Sequence, residues 1–224
     1  MSWESYGAWQ STEGVELLKR CGMSENMTVL DFGCGIGEYS ISAAQIVGEL
    51  GKVYAIDKNK NAVQCLKNTC NQYGITPIEV IKGNEDTLKL NDTQLDVILY
   101  FDLYHSFGKT PEIRSKENMR IIQKISKNLR KGGLFLVAVY SEMRLIWDEK
   151  NLEYRTKSGA IKAQKVTIEE GIQWFRMIET IEECGMEYVK KVSGAIHFDE
   201  FWKRREPEMD QFEKGNIYIF QKSI

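Results

Sequence analysis

The stretch Asp31-Phe32-Gly33-Cys34-Gly35-Ile36-Gly37 sets a carboxylate just ahead of three glycines at alternate positions. Val29-Leu30 leads into it, and Glu38-Tyr39-Ser40 opens a segment of helical character. A strand, a tight turn and a helix start, in that order, form the arrangement in which α/β proteins hold a small polar ligand. Glycine lets the backbone approach a ligand that any side chain would hold off, and it accepts the positive φ of a tight turn. The helix start adds N–H groups without intrahelical acceptors, suited to a carboxylate or phosphate. A second acid, Asp57, lies twenty residues beyond Gly37 at the end of the apolar run Lys52 to Asp57. A carboxylate there can accept from both hydroxyls of a ribose, or it can serve as a surface cap, a task for which Asn59 is also well placed.

A third group of reactive side chains follows the apolar run Leu95 to Tyr100, in Phe101-Asp102-Leu103-Tyr104-His105-Ser106-Phe107. Only two histidines occur, His105 and His197. His105 is the candidate general base, because imidazole titrates near neutrality and ligands of doubly wound sheets lie beyond the strand ends. The competing reading is a histidine that shapes its loop through backbone hydrogen bonds.

In this order the motifs resemble the class I S-adenosylmethionine-dependent methyltransferases, in the small-molecule, type 11-like branch. The resemblance rests on the acid before Gly33-Cys34-Gly35-Ile36-Gly37, on Asp57, on Gly83-Asn84, on the run into Tyr104-His105, and on Lys131-Gly132-Gly133 before an apolar strand. It covers roughly Val15 to Val139, about half of the chain. It implies S-adenosylmethionine as cofactor, with S-adenosylhomocysteine as product. Asp31, Gly33, Cys34, Gly35 and Gly37 would surround the methionine half, and Asp57 with its neighbour Lys58 the ribose. Asn84, Glu85 and Tyr100 would complete the cofactor site towards the adenine and the fourth strand. Asn84 departs from the family's usual Asp, although its side-chain oxygen can still accept from an amino group. His105 matches the family's histidine, and Asp102 would orient it or bind a substrate cation. No metal is implied.

These residues need a scaffold of alternating elements. Strands are expected at 28–32, 52–57, 78–82, 95–100 and 134–139, with a sixth at 188–193 and a seventh at 216–221. Helices are expected at 12–21 with Ser11 as N-cap, at 39–47, at 61–73 with Gly74 as stop, at 110–129 and at 167–184. The expected fold is α/β, a Rossmann-like doubly wound sheet of seven mostly parallel strands with an antiparallel C-terminal strand. A single domain spans 1–224: an N-terminal lid and helix over 1–27, a cofactor-binding core over 28–139, and a substrate-side insertion with C-terminal strands over 140–224. Trp3, Tyr6 and Trp9 read either as an aromatic lid or as a first turn packed on the core. Lys124, Lys127, Arg130 and Lys131 read as a solvated helix end complementing the helix dipole.

Composition removes several function classes. The chain has 224 residues, 42% hydrophobic and 28% charged, with a net charge of −2, so no overall basic field draws it to nucleic acid or anionic lipid. There is no Asn-Pro-Pro-Tyr loop and no Pro-Cys nucleophile for base methylation. A nicotinamide reductase would share Asp57, yet it prefers Gly-x-Gly-x-x-Gly and a Tyr-x-x-x-Lys pair. The five cysteines are scattered without a Cys-x-x-Cys pair, and neither a signal leader nor a run of membrane-spanning length is present, so a cytoplasmic protein with reduced thiols is expected. The expected partner is a small-molecule methyl acceptor, not a membrane and not nucleic acid. A nucleic-acid or protein methyltransferase, or a non-catalytic cofactor-binding protein of the same fold, is the alternative.

Overall fold

A computed structural model describes residues 8–104, 107, 111–138, 146–148, 153–155, 177–197 and 212–223. Its centre is a seven-stranded sheet of β1 (Thr28–Phe32), β2 (Lys52–Asp57), β3 (Ile78–Lys82), β4 (Leu95–Phe101), β5 (Leu129–Ala138), β8 (Met186–His197) and β9 (Phe212–Lys222). The spatial order is β3-β2-β1-β4-β5-β9-β8. Pairings among β1 to β5 are all parallel, whereas β9 runs antiparallel to both of its neighbours, β5 and β8. The expected doubly wound sheet with one reversed strand is therefore the observed one.

Both faces of the central strands are covered, so their sequences are continuous apolar runs with no polar alternation. Along β4, Val97, Leu99 and Phe101 face one core, with Val29, Val53 and Ala55. Helices α2 (Glu13–Arg20), α3 (Glu38–Val47) and α4 (Lys60–Tyr73) close that side through Leu17, Leu18, Ile41 and Leu66. Ile98 and Tyr100 face the other core, where α5 (Pro111–Ile125) supplies Ile121, Ile122 and Ile125, and a helix over 177–182 supplies Met177 and Ile181.

Several boundaries differ from expectation, each for a local reason. A short helix, α1 (Ala8–Ser11), precedes α2, so Thr12 rather than Ser11 occupies the N-cap position. Helix α5 stops at Ile125 and passes through a 3₁₀ turn, Ser126–Asn128. There Lys222 of β9 donates to the carbonyls of Ser126 (2.9 Å) and Leu129 (2.7 Å), satisfying groups at the helix end. Strand β5 begins at Leu129, not at Leu134, because Leu129 already pairs with Leu95 and an irregularity between Leu95 and Val97 absorbs the intervening residues. Arg130 and Lys124 have specific partners as well as a favourable dipole: Arg130 Nε donates to Asp96 (2.6 Å), and Lys124 pairs with Asp86.

β8 and β9 are longer than 188–193 and 216–221, since their mutual ladder continues from Met186↔Lys222 to His197↔Phe212. The expected substrate-side insertion beyond residue 140 contains an antiparallel pair, β6 (Ile146–Asp148) with β7 (Glu153–Arg155), in which Trp147 and Tyr154 are opposite each other. Residues 167–176 of the expected 167–184 helix lie outside the described residues. Among those described, no helix is long and apolar enough to cross a membrane.

Candidate functional site

The chain leaves β1 for α3 on one face of the sheet and leaves β4 for α5 on the other. β1 and β4 are neighbours, so their C-terminal ends flank the crevice where the winding reverses, the usual ligand position in such sheets. Everything described below lies at that edge.

The glycine loop is stitched to β2. Gly33 and Cys34 donate backbone N–H groups to the Ile56 carbonyl (2.8 and 3.0 Å), and Gly35 N–H donates to Asp57 Oδ2 (3.0 Å). The three glycines do different work. A Cβ on Gly33 would strike the Leu103 side chain at 2.6 Å, and one on Gly37 would collide with Leu66, so these two admit neighbouring elements. Gly35 has φ +54° and nothing within 4 Å of the position a Cβ would take. It borders open space, the place where a ligand can lie against backbone.

Asp31 ends up in the core of this edge, 4% exposed, with Ser40 Oγ donating to its Oδ2 at 2.5 Å. Burial pushes its carboxyl up to about 7; the Ser40 hydroxyl opposes that, and the nearby Asp57 charge adds to it. Asp57 is partly exposed at the end of β2, where Oδ2 holds Gly35 N–H and Oδ1 accepts from Asn59 N–H (2.7 Å). Asn59 in turn caps α4, its side chain accepting from the N–H groups of Asn61 and Ala62. Burial drives the Cys34 thiol far above its ordinary value, so it is a small packing group and not a thiolate. All five cysteines are free.

The remaining expected residues are nearby but differently engaged. Lys58 Nζ stands 6.0 Å from the centre of the Phe107 ring. Asn84 Oδ1 faces its own turn, accepting from the N–H groups of Asp86 and Thr87 (both 3.2 Å). The Glu85 carboxylate is paired with Arg120 of α5 at 2.5 Å. Tyr100 points its phenol into the α5 core, where it is 1% exposed and its hydroxyl donates to Asn118 Oδ1 at 2.6 Å. Asp102 adopts φ +54°, uncommon for a residue with a side chain, and its N–H donates to the Ala138 carbonyl at 2.8 Å. His105 lies outside the described residues, as do Trp3 and Tyr6.

Trp9 is buried at 3% exposure, edge-on to Tyr39, which is edge-on to Phe101 at the end of β4. Beside it Gln10 donates to the Glu38 carboxylate, and Ser42 Oγ donates to the Gln10 carbonyl (3.1 Å). The packed reading of Trp9 is the observed one. Sequence reasoning missed Ser40, Gln10, Asn118 and Arg120. For Ser40 and Gln10 no sequence pattern marks the pairing. Asn118 could have been noticed as a polar residue within the apolar stripe of α5.

The strand order and the glycine crevice together define the fold of the class I S-adenosylmethionine-dependent methyltransferases. A family model described as a methyltransferase domain matches residues 23–207, and the chain belongs to that family. It is 23% identical over 238 residues to the demethylmenaquinone methyltransferase of Lactococcus lactis, a match covering 99% of this chain and 87% of that protein. It is 24% identical over 146 residues to the demethylmenaquinone methyltransferase of Oceanobacillus iheyensis, where the match spans 65% of this chain and 56% of the relative. Among solved structures, a SAM-dependent methyltransferase from Aquifex aeolicus superposes with a TM-score of 0.60 at 18% identity, covering 94% of this chain and 91% of that one.

Proposed function

We propose that the protein transfers a methyl group from S-adenosylmethionine to a small-molecule acceptor by direct in-line displacement. The observation that carries this reading is Gly35: backbone facing open space, at positive φ, tied through its own N–H to the carboxylate that ends β2. The residues present fit the cofactor. Asp57 retains acceptor capacity beyond the two N–H groups it holds, enough for ribose hydroxyls. Asp31, kept near neutrality by burial, favours ionisation as soon as a cationic ammonium is placed beside it. When bound, S-adenosylmethionine supplies an electrophilic sulfonium methyl. The chain's own part is to hold the loop open at Gly35, to align the acceptor and to exclude water.

The relatives named for demethylmenaquinone support a small organic acceptor. Dispersed free cysteines support a reducing, cytoplasmic setting. His105 is the proposed general base, with Asp102 presenting its segment. After a screen for acceptors by S-adenosylhomocysteine release, His105→Ala is expected to lower kcat by roughly 10²–10⁴ with cofactor affinity unchanged. Full activity in a stable His105→Ala protein removes the base role.

The test of the reading as a whole is calorimetric titration with S-adenosylmethionine, S-adenosylhomocysteine and NADH. The first two are expected to bind. Asp57→Ala is expected to weaken them by about 1.5–3 kcal/mol, the scale of hydrogen bonds to a charged group. Part of that loss comes from releasing the Gly35 N–H. Binding of NADH alone, or unchanged affinity in the variant, contradicts the assignment.

A further inference from the structure

The loop that follows β3 is compact. Gly83 N–H donates to the Asp57 carbonyl (2.9 Å), Asn84 N–H donates to Thr87 Oγ1 (2.8 Å), and Asn84 Oδ1 closes the turn from inside. Its two acids are therefore directed outward, towards α5. Glu117, Arg120 and Lys124 are spaced three and four residues apart, which sets them along one flank of that helix. Arg120 reaches Glu85 at 2.5 Å and Asp86 at 3.7 Å, Lys124 pairs with Asp86, and Glu117 steadies the Arg120 guanidinium at 3.3 Å. The Glu85 side chain is only 7% exposed and the Arg120 side chain 46%, so the carboxylate is tucked under a half-exposed guanidinium whose pairing fixes geometry more than it adds stability.

We infer that Arg120 is a positioning residue for the adenine end of the cofactor site, acting through Glu85 to fix the loop over residues 83–87. This rests on the S-adenosylmethionine reading above. The loop hangs from the same strand end as Asp57, since Gly83 is bonded to the Asp57 backbone. Any displacement of Glu85 therefore moves the wall next to the ribose carboxylate. With Asn84 Oδ1 engaged by its own turn, an adenine must be met by backbone and by the loop's shape. Shape is what an ion pair from a neighbouring helix can hold.

The experiment is calorimetric titration of S-adenosylhomocysteine and of adenosine into the wild type, Arg120→Met, Arg120→Lys, Glu85→Gln and the Glu85→Gln/Arg120→Met pair, with urea midpoints for each. Arg120→Met is expected to weaken both ligands by roughly three- to tenfold, a fraction of a charged hydrogen bond. Its urea midpoint should stay near that of the wild type. Arg120→Lys should recover most of the affinity, and the double variant should bind no worse than the weaker single one. A lowered midpoint with unchanged affinity overturns the inference, because Arg120 is then only a brace. Loss in Glu85→Gln without loss in Arg120→Met also overturns it, since Glu85 then meets the ligand itself. If the wild type binds neither ligand, the cofactor reading fails and takes the inference with it.

Discussion

At the scale of single residues, Asp31 is a buried carboxyl whose charged form is opposed by its surroundings. Its carboxyl is buried with the Ser40 hydroxyl as its hydrogen-bond donor and with Asp57 as a like charge nearby. In the folded chain it titrates at about 7, against 3.8 for the ordinary group. Between those values the folded protein keeps a proton that the unfolded chain has released, so stability falls as pH rises through that window and levels off above it. The ligand-free wild type is thus expected to lose roughly 2–4 kcal/mol relative to Asp31→Asn across the window, measured as the difference between two urea-midpoint profiles. A constant difference contradicts the assignment. The sequence exposed Asp31 through its place ahead of three glycines. It did not expose Ser40, because that contact depends on how the turn brings the helix start back over the strand end.

At the scale of elements, α5 is the part whose role exceeds its sequence pattern. Ile121, Ile122 and Ile125 make its buried face, and Asn118 sits on that face too, with no exposure at all. Its Oδ1 accepts from Tyr100, and its Nδ2 donates to the carbonyls of Tyr104 (3.0 Å) and Arg114 (2.8 Å). One side chain thereby joins the end of β4 to the segment that leads to His105. Asn118→Leu keeps the volume and strands the Tyr100 hydroxyl, so a loss of about 2–4 kcal/mol is expected in chemical denaturation. Adding Tyr100→Phe removes the orphaned donor and should restore part of that loss. If the second change restores nothing, the bond to Tyr100 is not what Asn118 contributes. The same helix shows why ion pairs escaped the sequence reading. Lys124 and Arg130 were legible as helix-end cations, but their acceptors, Asp86 in the loop after β3 and Asp96 in β4, are brought alongside only by the folded sheet.

At the scale of the whole molecule, the parallel half was the most legible. β1 to β4 are short apolar runs closed by glycine or an acid, and their observed bounds agree with the expected ones to within a residue. Legibility declined where pairing is decided by a distant partner. β5 starts early because Leu95 accepts Leu129 across a bulge, and the β8–β9 ladder extends through residues with no alternation of polarity. The β6–β7 pair is too short to register as periodicity.

The order of β9 and β8 has a consequence for how the chain is made. β9 follows β8 in sequence yet lies between it and β5, and among the described residues β9 is β8's only neighbour in the sheet. While a ribosome has emitted the chain only as far as β8, that strand lacks its native partner and the outer rim of β5 is not covered by β9. The glycine-loop crevice at the ends of β1 and β4 is encoded earlier. Translation therefore delivers the half that carries the glycine loop first, and an exposed strand rim accompanies it until β9 arrives.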